Sequence, residues 1–307
     1  MQAWLRRASV ASRVVADDAE LWLPAALAWV AFLGWLPFVL AVARTPDEGD
    51  LTVFGAALVT SGDWPANAIR LGAGLLALAL VANSLVAFGE AVLLRLLEGR
   101  PPDSSGSAFL ASVTRLWLVQ LLAALPGAAA LVALLVAVAA AAVGELQSPD
   151  IGGSAWVRIA SRVAPFGVAV VLTLIAGQAF TAAASRRLTR AAAPHLREAV
   201  AGAVRGLAHR PAQRIGLAAV SLVLQVAYLL VCLLLLRVLW APIGVALADG
   251  RAITPGAPLL LVGFVAIWLC LVLAGGALHA FAAAWWSLEL AAGVGAEPSA
   301  REEAKAT

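Results

Sequence analysis

Six long stretches of the chain are almost free of charged side chains: 21–43, 69–97, 115–143, 163–185, 213–240 and 257–288. Each holds about 20 or more predominantly apolar residues, enough for one helix to cross the hydrocarbon layer of a bilayer. Ala, Leu and Val dominate the runs without period-2 alternation, whereas a membrane β-barrel would set a polar, lumen-facing residue at every second position. The runs are also too long for the helices of an ordinary soluble core, so the solvent they fit is lipid. The pattern predicts an all-α fold, a polytopic membrane helix bundle with about six transmembrane helices plus amphipathic interfacial helices. The first run exceeds the roughly 7 to 15 apolar residues of a signal-peptide core and reads as a retained span. Pro24, Pro37, Pro126 and Pro165 fall in or near the spans, where kinks are expected rather than breaks. Trp22, Trp64, Trp117, Trp156, Trp240 and the pair Trp285-Trp286 stand near span ends, the depth an amphipathic indole favours.

Three domains follow: 1–20 as a basic amphipathic N-terminal segment, 21–290 as the six-span domain, and 291–307 as a disordered cytoplasmic tail. In the first, Trp4, Leu5, Ala8, Ala11, Val14 and Val15 form an apolar face opposite Arg6, Arg7 and Arg13. From Pro194 to His209, Leu196, Val200, Val204 and Leu207 recur at helical spacing with Arg197, Arg205 and His209 on another face. Both segments are expected to lie flat on the inner leaflet. The connection between the first two spans carries Asp47, Glu48, Asp50 and Asp63 and an apolar stretch, 51–59, too short to cross.

Composition agrees with the pattern. Of 307 residues, 63% are hydrophobic and 13% charged, against about 25% charged in a soluble domain. The net charge is only +3, so the placement of the basic groups matters more than their sum. An N-terminus on the cytoplasmic side puts fifteen of the 21 basic residues there, among them Arg95, Arg100, Arg115, Arg186, Arg187, Arg190, Arg210 and Arg214. The outer side receives Arg44, Arg70, Arg158, Arg162 and Arg251, and Arg237 lies near the outer end of the fifth span. Both termini are therefore expected in the cytoplasm. Arg6, Arg7, Arg13, Arg186, Arg187, Arg190, Arg197 and Arg205 are the candidate contacts to anionic headgroups. The Ala-rich, Arg-rich and Lys-poor usage suggests a GC-rich bacterial genome and an inner-membrane location.

Polar chemistry inside the spans is sparse. Glu90 is an ionisable group within the second span, where burial is costly and such groups usually face a bundle interior. Asn83 precedes it by two helical turns on the same face, and Gln178 and His279 come from other spans. These four form the candidate intramembrane polar site. The alternative for Glu90 is a position near the cytoplasmic interface, paired with an arginine such as Arg95 or protonated. Gln120, Gln178, Gln225 and Tyr228 fit interhelical hydrogen bonding, and Cys232 and Cys270 fit packed free thiols.

No metal-ligand spacing, hydrolase elbow or Walker loop occurs, so no metal, cofactor or catalytic residue is expected. Gly72-Ala73-Gly74 reads as helix packing rather than a dinucleotide fingerprint. Gly202 and Gly206 make a GxxxG that permits close helix approach or simply reflects composition. The cluster Arg186, Arg187, Arg190 follows a span directly, which favours membrane anchoring over nucleic acid.

A loose internal repeat relates Gly89-Glu90-Ala91 to Gly177-Gln178-Ala179; each is followed by a basic connection, an amphipathic stretch holding an arginine (Arg115, Arg205) and another span. The segment GEAVLLRLLEGRPPDSSGSAFLASVTRLWLVQLLAAL, from Gly89 to Leu125, and the similarly laid-out stretch from Gly177 to Leu236 resemble a group of uncharacterised bacterial six-span proteins. That group includes the membrane domain attached to some glycerophosphodiester phosphodiesterases. The resemblance covers about half of the chain, transfers no catalytic residue, and lacks the soluble phosphodiesterase domain. The function it leaves is a non-enzymatic accessory or scaffold touching membrane lipids and a membrane-protein partner. The alternative is a small transporter or lipid translocator with a polar cleft around Glu90.

Overall fold

The computed structural model describes residues 2–43, 53, 62–63, 65–99, 106–147, 154–190, 195–248 and 256–294. Among them all regular structure is helical: α1 (Gln2–Asp17), α2 (Trp22–Trp29), α3 (Leu36–Val42), α4 (Ala66–Leu97), α5 (Gly106–Gln147), α6 (Ala155–Arg190), α7 (Leu196–His209), α8 (Pro211–Ala248) and α9 (Gly256–Val294). Helices α4, α5, α6, α8 and α9 are long and apolar enough to cross a membrane, and the bent pair preceding them makes six if it counts as one span. Large apolar side chains stand exposed along them, Leu75, Leu76, Val136 and Leu172 by about 60% each, a surface that only lipid solvates without penalty. The protein is a multi-pass membrane protein. Expectations placed on Trp64, on the outer connection from Arg44 to Val59 apart from residue 53, on Arg100, Arg251, Arg301 and Lys305, and on the tail from 295 lie outside the described residues.

The spans and some of their connections merge. Arg115 and the amphipathic stretch before it belong to α5, whose 42 residues extend to about 63 Å at 1.5 Å per residue. Pro126 and Pro165 sit inside unbroken helices, and α8 runs past the predicted end at 240 through Pro242. The first span departs from the expectation of a kink. It passes through a 3-10 turn (Ala19–Leu21), α2, a π-helical turn (Val30–Gly34) and α3, with a 48° bend between the 19–34 and 36–42 segments. Pro37 lies in the first turn of α3; lacking an N–H and clashing with the carbonyl four residues back, it cannot continue α2, and the wider π turn absorbs the mismatch. At the end of α4, Gly99 takes a left-handed conformation (φ 65°) and bonds its N–H to the Leu96 carbonyl, stopping the helix ahead of the Pro101-Pro102 pair.

The chain divides into two compact units, 1–104 with 223–289, and 105–222 with 290–307. In the first, α2 packs on α4 with Ala25, Ala28, Ala87, Ala91, Leu93 and Leu94 buried. A second cluster in this unit joins Phe38, Trp240, Phe264 and Trp268, with ring centroids 4.8 to 5.5 Å apart, around Leu236 and Ile243. In the second unit, α5 and α6 pair along their lengths and α7 lies against α6.

Candidate functional site

In the first unit, glycine brings three helices into backbone contact. A Cβ on Gly89 of α4 would stand 2.7 Å from the Pro24 carbonyl oxygen and 3.0 Å from the Ala28 backbone nitrogen. On α9, a Cβ on Gly276 would stand 2.6 Å from the Ala26 nitrogen, and one on Gly275 would strike the Trp29 indole at 2.7 Å. Without side chains at these positions, α4 and α9 both close on the α2 backbone, the small-residue packing that helices in lipid favour.

Glu90 is the residue after Gly89, and His279 lies three after Gly276. Their side chains meet, His279 Nε2 standing 3.5 Å from Glu90 Oε1, with exposures of 15% and 17%. This is longer than a normal hydrogen bond, so the two groups stand in electrostatic rather than hydrogen-bond contact. The contact links the second span to the last across the first unit. Asn83 lies two turns back on α4 and is half-buried, about 10 Å along the helix from Glu90. The structure therefore brings Glu90 and His279 together, with Asn83 farther along the same helix. Gln178 stands in the second unit on α6, half-buried beside Gly177, whose Cβ position is 2.9 Å from the Ala123 carbonyl oxygen of α5.

Other polar groups in the first unit also tie helices together. The Tyr228 hydroxyl of α8 donates to the Leu271 carbonyl of α9 at 2.7 Å, and its ring meets Trp29 edge-on at 5.6 Å. The Arg7 guanidinium donates to the Glu289 carboxylate, of which 4% is exposed. Trp22 donates from its indole nitrogen to the Val15 carbonyl at 2.8 Å, fixing α1 to the start of α2. Trp285 and Trp286 are buried in the protein, and Trp285 packs on Trp4 at 4.4 Å. The predicted apolar face of α1 is kept at Trp4, Ala8, Ala11, Val14 and Val15, all buried or half-buried, and departs at two positions: Arg7 turns inward to Glu289, and Leu5 is 56% exposed. Arg6 and Arg13 are exposed as expected. Of the two free thiols, Cys232 is buried and Cys270 exposed, so only the former is packed.

The basic cluster of the second unit splits. Arg186 is buried to 4% exposure and donates to the Ala182 carbonyl at 3.0 Å, so it points into the protein instead of toward headgroups. Arg187 is exposed but lies over α7: a Cβ on Gly202 would come within 2.9 Å of its Cζ, and one on Gly206 within 3.2 Å of its Nη2. The Arg214 guanidinium of α8 meets the same Gly206. Arg197 and Arg205 are exposed, and the side chain of Arg190 lies outside the described residues. The buried face of α7 is Ala199, Gly202, Ala203 and Gly206. It lies about a quarter turn from the predicted Leu196–Val200–Val204–Leu207 stripe, of which Val204 is 54% exposed. The small residues pack inward because they admit a closer approach to α6, which leaves Leu196, Val200 and Leu207 half-buried and Val204 exposed. Of the two readings of the GxxxG, close helix approach is the one the structure shows, and the inward burial of Ala199 and Ala203 beside it was not anticipated. It also assigned Gly72 and Gly74 to packing, whereas a Cβ on either would meet nothing within 4 Å.

A further ion-pair group joins Glu145 at the end of α5 to Arg158 (2.6 Å) and Arg162 (3.1 Å) at the start of α6, closing that helix pair. Among the described residues no three His, Cys, Asp or Glu side chains form a group able to hold a metal ion. Comparison with protein-family models, curated proteins and solved structures gives no match to this chain.

Proposed function

We propose that this chain is a non-enzymatic accessory or scaffold protein of the bacterial inner membrane, with both termini in the cytoplasm and basic amphipathic segments on anionic lipid. The observation that supports this reading best is how the polar groups of the first unit are used. Glu90 meets His279, Tyr228 bonds the Leu271 carbonyl, and Arg7 holds Glu289, while glycines bring α4 and α9 onto α2. Such contacts make a fixed framework of helices, and exposed arginines at Arg6, Arg13, Arg197 and Arg205 remain for headgroups. The layout shared by 89–125 and 177–236 agrees with the accessory role suggested by the likeness to membrane domains attached to glycerophosphodiester phosphodiesterases. The test is gentle purification from native membranes with mass spectrometry of all retained proteins and lipids, for wild type and Glu90→Gln. A stoichiometric protein partner kept by both forms is expected. Loss of a lipid or metabolite from the variant alone, with no protein partner in either, would overturn the scaffold.

One observation favours a second reading, a small transporter or lipid translocator. The first span breaks at 30–35, just beyond the Ala28 that Gly89 touches, and discontinuous helices beside an intramembrane carboxylate are a feature of transport sites. On this reading Glu90→Gln stops leaflet exchange of a fluorescent phospholipid in proteoliposomes while the protein stays folded. Unchanged exchange would exclude Glu90 from that role.

A further inference from the structure

The last span presents one face to four other helices of the first unit, in order along its length. At about 100° per residue, positions 271, 275, 279, 285 and 289 of α9 fall within about a third of its circumference. Leu271 accepts from Tyr228 of α8, Gly275 underlies the Trp29 ring of α2, His279 meets Glu90 of α4, Trp285 packs on Trp4 of α1, and Glu289 takes the Arg7 guanidinium of α1. The contact of Glu90 with His279 is thus bounded on both sides along this face.

The two boundaries differ in kind. Trp29, opposite Gly275 and so about 6 Å along α9 from His279, is 3% exposed and wedged between glycines: a Cβ on Gly275 would stand 2.7 Å from its ring, and one on Gly34 in the π turn would overlap it as well. Only separation of α2 from α9 would release it. On the other side, Trp285 and Glu289 lie about 9 and 15 Å along α9 from His279, and both are met by α1. That helix is amphipathic, with Arg6, Ser9, Ser12 and Arg13 exposed, and one short 3-10 turn joins it to the first span. Between its two attachments and Glu90, two ring nitrogens of α9 are enclosed without a hydrogen-bond partner in the protein: His279 Nε2 and Trp285 Nε1. An enclosed polar nitrogen left unpaired costs free energy, and both would gain partners if water reached this face. Closure by α1 is therefore opposed from beneath and held by the ion pair, whose arginine is 26% exposed.

We propose that α1 is a lid over the Glu90–His279 site, latched by Arg7 on Glu289 and Trp4 on Trp285, and that its release wets the site from that end while Trp29 keeps the other end shut. The proposal rests on the second reading above, in which the polar site around Glu90 handles a translocated molecule, and supplies the element that opens it.

The test reads the reactivity of native histidines in the full chain in a neutral detergent. Diethyl pyrocarbonate acylates accessible imidazoles, and peptide mass spectrometry follows His195, His209 and His279 separately; the first two are exposed and serve as internal standards. In the wild type His279 should react about tenfold more slowly than either. Arg7→Ala and Glu289→Gln each break the latch and should raise the His279 rate about tenfold or more, with the standards unchanged. Arg7→Lys keeps the charge and should stay within about threefold of the wild type. Protection of Cys232, 1% exposed on α8, from N-ethylmaleimide reports whether the whole unit has loosened, and it should be the same in every variant. If Arg7→Ala misfolds by size-exclusion chromatography, Glu289→Gln carries the comparison. A His279 rate unmoved by loss of the latch, or one that rises only together with that of Cys232, would overturn the lid. So would a wild-type rate equal to that of the standards. Leaflet exchange of a fluorescent phospholipid in proteoliposomes tests the underlying reading separately: a latch-dependent His279 rate with no exchange by the wild type would keep the lid and remove the transport.

Discussion

Gly89-Glu90-Ala91 in the first unit and Gly177-Gln178-Ala179 in the second share two features and differ in a third. In both, the glycine admits a backbone carbonyl, Pro24 in one case and Ala123 in the other, at 2.7 and 2.9 Å from the Cβ position, and in both the alanine is buried at 1% exposure. The middle residue differs. Glu90 faces a histidine of another span at 3.5 Å, whereas the corresponding residue on α6 is a neutral amide. The glycine and alanine thus belong to the way these helices pack, and the ionisable residue is an addition specific to the first unit. The connections that follow differ as well. After α4 the amphipathic stretch fuses into α5, whereas after α6 it is the separate helix α7, ended at Arg210 before Pro211 opens α8. Among the described residues, only the second arrangement folds arginines back onto glycines.

The comparison breaks most sharply at the glycines. Gly89→Leu meets backbone atoms of α2 on two sides and is expected to destabilise the protein by about 3 kcal/mol or more, the upper range for overpacking. Gly177→Leu meets one carbonyl and is expected to cost about 1 to 2 kcal/mol. Reversible unfolding in mixed micelles measures both, and equal losses would deny that the first unit is the tighter. The middle residues come next. Glu90→Ala leaves His279 without its carboxylate and should cost about 2 kcal/mol, below the usual figure for breaking a buried pair because both groups are partly exposed. Gln178→Ala should cost about 1 kcal/mol or less, as interhelical amide contacts in lipid do. A double-mutant cycle with His279→Ala sharpens the point, and a coupling energy near zero would show that Glu90 and His279 only neighbour each other. Loss of Arg7 strands the buried Glu289 carboxylate, so Arg7→Ala should cost on the order of 2 kcal/mol and Glu289→Gln less, read from the same unfolding curves. The smallest effect is expected at Arg162→Gln, within about 0.5 kcal/mol, because that side chain is 54% exposed and Arg158 still holds Glu145.

The spans, the all-helical class and the helical nature of 2–17 and 196–209 were legible because each depends on hydropathy over one local stretch. Glu90 and His279 were legible as costly residues, since an ionisable group in an apolar run stands out without a structure. Their partnership was not, because 189 positions separate them and only the approach of α4 and α9 across α2 joins them. The rotated face of α7 escaped for a related reason. Hydropathy favours the large apolar stripe, but in lipid that stripe has no need of protein, and small residues decide which face packs. Pro37 was visible as a helix-breaking residue, while the π turn and 48° bend that resolve it required the neighbours. The sequence by itself determined that the chain lives in a bilayer and how many times it can cross, since the transfer of each run into lipid is a local sum. Tertiary structure alone decided which polar groups meet, because that turns on where glycine lets one backbone touch the next.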